Sequence, residues 1–425
     1  MNILITSASN KVWLIQAFKK ALMKHGGGSV FAADIDTNKI ALSFADKCLF
    51  TPKSNDPLFI PELVRLCKQE NIQLIVPTRD GELKIFSENK ALLEKDNIKI
   101  MVSNSATIEI CQDKYKFYQY CIENDCNTIK TYLRKHTSQI SFPVFVKPRK
   151  GSGSQKTFIA KNTKKLEQFL TLYDEIEFII QPLIEEHEYT IDFFSDFNGK
   201  VISIIPRKRV EVHHGESTIG KIEKNQTIIK EVNKLAINLG LVGHNTIQCF
   251  YNKRNDQVTF IEVNPRFGGG AELGFSAGVL TPEFLIQLIN GHELEAIQND
   301  YADELWMFKY SHHVSLLKIN ETYCENIENN KTFCIDIDGT ICTEFCRYED
   351  AKPVLSVIEK INKLYNGGHK IILFTSRGYS SGHDWLPLLK EQMKKWGVLY
   401  HEIRQGKPFA DYYIDNKAVN VLDWF

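Results

Sequence analysis

The apolar positions of residues 1–103 alternate between two periods. Short apolar runs are typical of buried strands, and apolar residues three and four apart are typical of one helix face. Asn2–Thr6 has the first pattern, and Val12–Lys24, apolar at 14, 15, 18, 21 and 22, has the second. The alternation predicts a parallel sheet flanked by helices. The expected strands are Asn2–Thr6, 29–35, 73–77 and 98–102, and the expected helices are Val12–Lys24, 60–69 and 81–93.

Polar side chains at the carboxyl ends of these strands are candidates for ligand contacts, because open α/β sheets bind ligands at that edge. Asp34 and Asp36 follow the second strand, where an acid that binds a ribose would lie. The first turn, SASNKV, lacks the GxGxxG pattern that lets the backbone approach a pyrophosphate. We therefore expect a scaffold rather than a dinucleotide site, with Arg79 and Asp80 as candidates for one wall of a substrate site.

Residues 104–319 are expected to form a second domain, mostly helical over 104–140 and richer in strands afterwards. The apolar run Val144–Pro148 precedes a glycine- and serine-rich turn, RKGSGSQ, and a second apolar run, 177–182, ends in the acidic segment LIEEHEYTIDFF. Helical spacing over 228–239 closes at Gly240, a residue type that commonly ends helices. Two apolar runs, 246–251 and 257–263, flank the polar NKRND and predict a β-hairpin.

The stretch 320–331, NETYCENIENNK, is rich in Asn and Glu and poor in apolar residues, so we expect a linker there. Strand and helix patterns start again at residue 332 and predict a third, small α/β domain of four strands over 332–425. The fold class is therefore a multidomain combination of α/β and α+β units. The elements expected in the third domain are a strand at TFCIDID, a helix over 353–365, strand Lys370–Thr375, a helix over 384–396 and a strand over 411–415.

Composition narrows the class of protein. Fifty-two basic and 52 acidic residues leave no net charge, so no global field attracts nucleic acid or an anionic membrane. The N-terminal MNILITSASN has no basic segment before its apolar run, and no apolar run approaches the roughly 20 residues that span a bilayer, so we expect neither a secretory signal nor a membrane helix. The ten cysteines are scattered without a CxxC pair, which favours reduced thiols in a cytoplasmic enzyme.

The hairpin at 246–263 carries the most informative polar residues. Side chains of equal parity share one face of a strand, so Glu262 and Asn264 project together, and Gln248 can join them from the partner strand. Three oxygen-bearing side chains without histidine or thiolate suit a hard cation such as Mg²⁺. Arg266 follows and can supply a forked donor to a phosphate. A hairpin with a solvated polar face is the alternative.

Segments upstream of the hairpin are candidates for phosphate contacts. The RKGSGSQ turn offers backbone N–H groups and glycine's conformational freedom, although it lacks the GKS or GKT of a P-loop and an ordinary hairpin loop is the alternative. Lys147 precedes that turn, and Lys114 can supply a second cation. The segment RKRVEVHHGEST is either a solvated loop or an anion pocket beside a phosphoryl-transfer centre. Its basic residues are Arg207, Lys208, Arg209, His213 and His214.

Six motifs in chain order resemble the ATP-grasp superfamily, most of all its carbamoyl-phosphate-synthase-like carboxylate ligases. They are DKYKFY, VKP, GSGSQ, QPLIEEHEYTIDF, RKRVEV–GES and GHNTIQ…FIEVNPRFGGG. The resemblance covers residues 1–310. It implies a pre-ATP-grasp domain over 1–103 and an ATP-grasp domain over 104–319.

This resemblance implies that ATP binds with Mg²⁺, or with Mn²⁺. The implied ATP contacts are Lys114 and Lys147 on the α- and β-phosphates, Ser152, Gly153 and Ser154 over the polyphosphate, Gln181, Pro182, Leu183 and Ile184 around the adenine, and Glu188 on the ribose. The implied metal ligands are Gln248, Glu262 and Asn264. Arg266 would neutralise the γ-phosphoryl group, and Arg207, Arg209 and the loop 213–217 would contact the carboxylate and the acyl phosphate. Gln181 stands where the family often has Glu, which weakens one adenine contact.

Residues 332–425 resemble the haloacid-dehalogenase-like phosphatases through DIDGT, LFTSRG, GKPFAD and YYIDN. The implied roles are Asp336 as nucleophile, Asp338 as general acid–base, Thr375 and Lys407 on the phosphoryl group, and Asp336, Asp338 and Asp415 as Mg²⁺ ligands. Asn416 stands where the family often has a second acid, and the short segment after Thr340 leaves no room for a cap. A simple Asp-Gly turn after a strand is the alternative for DIDGT.

Together these patterns predict a bifunctional enzyme: an ATP-dependent carboxylate–amine ligase fused to a capless Mg²⁺-dependent phosphatase. The expected substrates are a small-molecule carboxylate, an amine and a phosphorylated small molecule, in the tailoring of a polysaccharide or a small metabolite. No nucleic-acid or membrane partner is expected, and the pattern leaves room for a homodimer. The alternatives are an ATP-grasp kinase with a stable phosphorylated product, and a nucleotide-binding regulator without turnover.

Overall fold

The computed structural model describes residues 1–36, 38–151, 153, 155–213, 215–297, 300–310, 316–319, 322–325, 332–343, 347–366, 369–377, 384–405 and 412–414. The chain divides into two compact units, Met1–Ser311 and His312–Phe425. Six of the residues named above lie outside the described part of the chain: Ser152, Ser154, His214, Lys407, Asp415 and Asn416. Within that part, no helix is long and apolar enough to cross a membrane.

The first domain is a five-stranded parallel sheet in the order β3-β2-β1-β4-β5. Its central strands are buried on both faces, which explains their nearly continuous apolar sequences. The chain leaves β1 towards β2 on one side and later returns to β4 on the other, so the topological switch point lies between β1 and β4. The elements are β1 (Asn2–Thr6), α1 (Val12–Lys24), β2 (Ser29–Asp34), α2 (Ile40–Phe44), β3 (Lys47–Phe50), α3 (Phe59–Gln69), β4 (Ile72–Pro77), α4 (Asp80–Glu88), α5 (Lys90–Lys95) and β5 (Lys99–Ile100).

Most of the predicted elements of this domain are confirmed, with three differences. The strand expected over 98–102 is limited to Lys99–Ile100. The helix expected over 81–93 is divided into α4 and α5 at Asn89, whose backbone leaves the helical region. The Asn89 side chain donates to the carbonyl of Ile85 and stabilises that break. The sequence pattern also missed α2 and β3, which are short elements with only Ala41, Leu42 and Leu49 fully buried.

The second domain begins with two helices and a small antiparallel sheet in the order β6-β9-β7-β8. Its core is formed by Val144, Val146 and Ile180 against Leu166 and Leu170 of α8. A 3₁₀ helix over Arg134–Gln139 ends the region that was expected to be mostly helical. The elements are α6 (Ser105–Gln112), α7 (Lys114–Glu123), β6 (Tyr132–Leu133), β7 (Val144–Pro148), β8 (Phe158–Ala160), α8 (Thr163–Leu172) and β9 (Phe178–Pro182).

The rest of this domain is a six-stranded antiparallel sheet in the order β14-β13-β10-β11-β12-β15. The predicted hairpin is confirmed as β13 and β14. The elements are β10 (His187–Ser195), β11 (Val201–His213), β12 (Glu216–Ile222), α9 (Gln226–Leu239), β13 (Gly243–Asn252), β14 (Gln257–Asn264), α10 (Glu272–Ser276), α11 (Thr281–Ile289) and β15 (Trp306–Phe308).

The two faces of this large sheet differ in chemistry. On one face, Tyr189, Ile191 and Phe193 of β10 pack with Ile247 and with the apolar stripe of α9. Successive strand residues point to opposite faces, so the residues between them face the other way. That second face carries Glu188, Thr190 and Asp192 of β10, Arg207 and Arg209 of β11, Thr246 and Gln248 of β13, and Glu262 and Asn264 of β14. We call it the polar face.

The second unit contains a two-stranded hairpin and a four-stranded parallel sheet in the order β20-β19-β18-β21. Ile335, Ile337, Ile371 and Leu373 form its core with Ile358 and the helix over Leu386–Trp396. One strand of the hairpin lies inside the segment that was expected to be only a linker. The elements are β16 (Leu316–Ile319), β17 (Thr322–Glu325), β18 (Thr332–Asp336), α12 (Leu355–Asn366), β19 (Lys370–Thr375), α13 (Leu386–Trp396), β20 (Glu402–Gln405) and β21 (Tyr412–Ile414), with a 3₁₀ helix over Tyr348–Asp350.

Candidate active site

The predicted metal ligands lie together on the polar face. Gln248 and Glu262 are direct cross-strand partners, and Asn264 follows Glu262 on the same face of β14. The Asn264 amide nitrogen donates to Glu262 Oε1 at 3.1 Å, so the two side chains are in contact. The arrangement therefore offers one carboxylate and two amide groups on adjacent strands.

Lys147 reaches this group from the small antiparallel sheet. Its Nζ lies 3.7 Å from Glu262 Oε2, so the end of β7 and the end of β14 face each other. Burial lowers the pKa of Lys147, against the opposing effect of the Glu262 charge. Burial alone would raise the pKa of Glu262, but the positive charges of Lys147 and Lys114 outweigh it and lower that pKa. A buried cation and a partly buried anion thus meet in the space between the two sheets.

Lys114 lies at the start of the glycine- and serine-rich turn. The Asp113 carboxylate caps α7, accepts from Arg149 Nε at 2.8 and 3.0 Å, and so fixes the first residue of the helix, Lys114. Lys114 Nζ donates to the carbonyl of Gly151 at 2.7 Å. Gly153 has a φ of 76°, a left-handed conformation that favours glycine. The structure therefore brings Lys114 to the loop, and its phosphate contact stays a prediction.

Two polar groups of the segment expected to line adenine already make hydrogen bonds within the protein. Gln181 is buried, and its amide nitrogen donates to Thr131 Oγ1 at 2.9 Å. The backbone N–H of Leu183 donates to the carbonyl of Pro143 at 3.2 Å. Pro182 is exposed, whereas Leu183 and Ile184 are half-buried. A contact from the Gln181 amide nitrogen or the Leu183 N–H to adenine would first require breaking these bonds.

Glu188 and Arg209 form an ion pair on the polar face. Arg209 Nη1 donates to Glu188 Oε1 at 2.8 Å, and its Nη2 donates to the carbonyl of Gly215 at 2.7 Å. Burial raises the pKa of Glu188, with the Arg209 charge acting against that effect. Arg209 Nε is buried and has no hydrogen-bond partner. The predicted ribose contact and the predicted acyl-phosphate contact are therefore neighbours.

Arg207 has a different environment from the one expected for an ATP or substrate contact. Its guanidinium donates twice to the Asp192 carboxylate, at 2.7 Å each, and both side chains are 4% exposed. A Cβ atom at Gly270 would lie 2.4 Å from Arg207 Nη1, so the loop 267–270 rests directly on this pair. His244 Nε2 lies 3.7 Å from Asp192 Oδ1, and its ring stacks on Phe267. We correct the expectation: Arg207 supports the loop from below, because burial leaves it no exposed donor for a ligand.

Arg207→Ala should destabilise the first unit by about 3–5 kcal/mol, because it leaves the Asp192 carboxylate buried without its partner. The measurement is urea unfolding of the full chain, with Arg254→Ala, an exposed loop residue, as the control that should change little. A variant with wild-type stability and a raised KM for ATP would restore the original substrate-contact role.

The stability of the first unit should fall as the pH drops below 6.5. Burial lowers the pKa of His244 below its ordinary 6.5, so the unfolded chain takes up this proton first and the folded state loses stability on acidification. Burial raises the pKa of Asp192, but the Arg207 and His244 charges lower it overall, so its contribution is also lost towards acid. His244→Gln should flatten the pH dependence of unfolding just below 6.5, and the exposed His292→Gln should not. An unchanged slope in His244→Gln would exclude His244 as the titrating group.

Arg266, predicted to meet the γ-phosphoryl group, is held by the first domain. Its Nε and Nη2 donate to the two oxygens of Asp80 at 2.9 and 2.6 Å, and Nη1 donates to the carbonyl of Phe267 at 3.3 Å. The sequence analysis had named Asp80 as a candidate wall residue, and the structure joins it to Arg266. Arg79, the other candidate, donates to Ser54 Oγ at 2.9 Å instead.

The donor set on the polar face fits a hard divalent cation, because it offers only oxygen ligands. Among the described residues, no group of three or more His, Cys, Asp or Glu side chains is arranged to hold a metal. A divalent ion would therefore rest on the Glu262 carboxylate, the amide oxygens of Gln248 and Asn264, and oxygens of a bound phosphate. Ion binding is then expected to depend on the nucleotide.

In the second unit, the half-buried Asp338 and the buried Thr375 form a network with an arginine that the motifs did not single out. Thr375 Oγ1 donates to Asp338 Oδ2 at 3.0 Å rather than facing an open phosphate position. Arg377 Nη2 and Nε donate to Asp338 at 2.6 and 3.0 Å, and the Arg377 side chain is fully buried. Asp336 ends the adjacent strand β18. Arg377 lies two residues after Thr375 in LFTSRG, and its hydrogen-bond partners were not evident from that motif.

Comparison with known proteins adds the family of the first unit. Residues 3–101 match the model of the PylC-like N-terminal domain, and residues 111–270 match the model of the ATP-grasp domain. The chain carries an ATP-grasp domain. ATP-grasp ligases use ATP with Mg²⁺ or Mn²⁺, in agreement with the cofactors expected from the motifs. These two matches end at residue 270, so the phosphatase resemblance of residues 332–425 stays a prediction.

Similar proteins share the ATP-grasp architecture over part of this chain. The carbamoyl phosphate synthase large chain of Methanobrevibacter smithii is 26% identical over 269 residues, which are 57% of this chain and 25% of that protein. The chain thus spans about a quarter of that relative's length. A biotin carboxylase from Campylobacter jejuni superposes with a TM-score of 0.59 at 20% identity over 72% of this chain and 74% of that one. An L-amino acid ligase from Bacillus licheniformis superposes with a TM-score of 0.53 at 19% identity over 67% and 73%.

Proposed function

We propose that the first unit joins a carboxylate to an amine at the expense of ATP. The observation that carries the proposal is the meeting of Lys147, from the small sheet, with Glu262 on the polar face at 3.7 Å. Lys114 stands at the glycine-rich turn, and Arg266 lies at the end of β14. Cations on one side of a cleft and oxygen ligands on the other are what a transferring phosphoryl group requires.

The proposed reaction has two steps. An oxygen of the substrate carboxylate attacks the γ-phosphorus, the bond from that phosphorus to the β,γ-bridging oxygen breaks, and ADP leaves. The amine then attacks the acyl carbon, phosphate leaves, and the nitrogen loses a proton to give the amide. Lys114 and Lys147 hold the phosphates, and Arg266 balances charge on the transferring group, so the protein contributes positioning and electrostatics rather than a nucleophile. Mg²⁺, when bound at Glu262 and Asn264, would screen the phosphate charge.

The similar proteins favour ligation over a kinase reaction. One superposing structure is an L-amino acid ligase, and another similar protein is a carbamoyl phosphate synthase large chain. The decisive assay incubates the purified chain with ATP, Mg²⁺ and mixtures of carboxylates and amines, and measures ADP and phosphate. ADP release that requires both substrates is the expected result. Release that needs no amine would favour the kinase alternative, and release no faster than that of contaminants would reject both.

For the second unit we propose phosphate-ester hydrolysis. The supporting observation is the Asp338 carboxylate, held by Thr375 and Arg377 beside the end of the strand that presents Asp336. In the proposed steps Asp336 attacks phosphorus, the ester P–O bond breaks, and Asp338 protonates the leaving oxygen. Water then attacks the phosphorus of the aspartyl phosphate and gives a proton to Asp338; the bond from phosphorus to the Asp336 oxygen breaks, which releases phosphate and regenerates Asp336. The phosphate ester would be carried by the amine substrate or by the amide product, which explains the fusion of the two units.

A further inference from the structure

The junction between the first domain and the end of β14 is built around one residue, Asp80. It is the first residue of α4 and follows the carboxyl end of β4, at the switch point of the parallel sheet. Both of its carboxylate oxygens accept from Arg266, at 2.9 and 2.6 Å. A paired, parallel set of hydrogen bonds fixes the plane of a guanidinium as well as its position.

Asp80 is itself fixed by the chain that leads to Lys114. Its backbone carbonyl accepts from Gln112 Nε2 at 2.5 Å. Gln112 is the last residue of α6, and the next residue, Asp113, caps the helix that begins with Lys114. The same short segment of the first domain therefore connects Arg266 on one side of the cleft with the base of Lys114 on the other.

The guanidinium of Arg266 is restrained on two sides. Asp80 takes Nε and Nη2, and the Phe267 carbonyl takes Nη1. The side chains of Arg266 and Asp80 are 17% and 24% exposed, so water screens their attraction less than that of a surface pair. Burial lowers the pKa of the half-buried Lys11, and the Arg266 charge adds to that effect while Glu82 and Asp80 oppose it, so further charge lies around this junction.

We propose that Asp80 is a positioning residue that orients Arg266 towards the γ-phosphate. This inference rests on the ATP-dependent function proposed above. Asp80 acts through Arg266 and touches no reacting atom. It makes the first domain a working part of the phosphoryl-transfer site, because without Asp80 the guanidinium would keep only its hydrogen bond to the Phe267 carbonyl.

The competing explanation is that the Asp80–Arg266 pair only holds the two domains together. A second ion pair between the same domains provides a matched control. Lys24 of α1 donates to Glu283 of α11 at 2.7 Å, so this pair also joins the first domain to the second. Lys24 is half exposed, His25 Nε2 lies 3.8 Å from the other oxygen of Glu283, and neither Lys24 nor Glu283 lies on the polar face. Glu283→Gln therefore removes the charge from a link between the domains without touching Arg266.

The test uses calorimetry in the presence of Mg²⁺ to measure the Kd of ADP and the Kd of a non-hydrolysable ATP analogue with an imido bridge. The ratio of the first Kd to the second is the preference for the triphosphate. Asp80→Asn should reduce this ratio about tenfold, since a misoriented arginine loses its contact with the third phosphate. Arg266→Ala should give a similar reduction, and the double variant should lose nothing further. Asp80→Glu, which keeps the carboxylate, should recover part of the preference, and Glu283→Gln should match the wild type.

Each other outcome overturns the inference. A wild-type preference in a folded Asp80→Asn, or independent losses that multiply in the double variant, would show that Asp80 does not act through Arg266. Equal losses in Glu283→Gln and Asp80→Asn would mean that both pairs are tethers. A wild-type chain that binds neither nucleotide would reject the proposed function itself, and this result is distinct from the other two.

Discussion

Glu262→Gln should lower ATP consumption by about 10³-fold, equivalent to about 4 kcal/mol of lost transition-state stabilisation. Glu262 is the only carboxylate among the predicted metal ligands of the polar face, and it is also the partner of Lys147. Glutamine keeps the shape and one oxygen but removes the charge that would hold the divalent ion and anchor the Lys147 ammonium. The measurement is coupled detection of ADP with saturating substrates, and Glu262→Ala should behave in the same way.

Two controls separate chemistry from folding in this experiment. Glu293→Gln makes the same chemical change at an exposed position and should leave the rate unchanged. Thermal unfolding of Glu262→Gln should show an intact first unit, because the Asp192–Arg207 pair beneath the loop is not altered. Undiminished ATP consumption in a folded Glu262→Gln would place the metal elsewhere and remove the main support for ligation at the polar face.

The sequence predicted helices and strands best in segments where apolar residues recur with a single period. Strands such as Val144–Pro148 and helices such as Val12–Lys24 were predicted at their exact ends, because burial on one side imposes a regular spacing of apolar residues. The hairpin of Gln248 and Glu262 followed from the same logic, since alternation fixes which side chains share a face. Elements with little burial, such as Lys47–Phe50, carry no such pattern and were missed.

Contacts between distant segments were beyond this kind of reasoning. The RKRVEV segment gave no reason to distinguish Arg207 from Arg209. In the structure Arg207 is buried against Asp192, whereas Arg209 pairs with Glu188 and donates to the carbonyl of Gly215. Arg207 and Arg209 are two positions apart on one strand, so both side chains lie on the same face. Their acidic partners lie on the neighbouring strand, and the register between these strands is known only from the folded sheet. For the same reason Asp80 was named as a candidate without its partner Arg266, which lies 186 positions away.

Asp336→Asn should reduce phosphate-ester hydrolysis by the full chain by about 10⁴-fold or more, while leaving ATP consumption by the first unit unchanged. Asparagine fills the same space at the end of β18 but does not form an aspartyl phosphate. The Asp338–Arg377 pair, which lies two residues on, should remain intact and keep the unit folded. Hydrolysis of a generic aryl phosphate and of phosphorylated amines, measured beside ATP turnover, tests both halves of the expectation in one preparation.

The matched control for this substitution is Glu359→Gln, which neutralises an exposed carboxylate on α12 and should not alter either activity. Asp338→Asn provides a second test, because its effect on the rate of hydrolysis should depend on the leaving group of the ester. If Asp338 protonates the leaving oxygen, its loss should slow esters of poor leaving groups far more than aryl esters, whose oxygen departs without a proton. Hydrolysis that survives in Asp336→Asn would remove the nucleophile assignment. Equal slowing of both ester classes in Asp338→Asn would instead confine Asp338 to its structural pairing with Arg377 and Thr375.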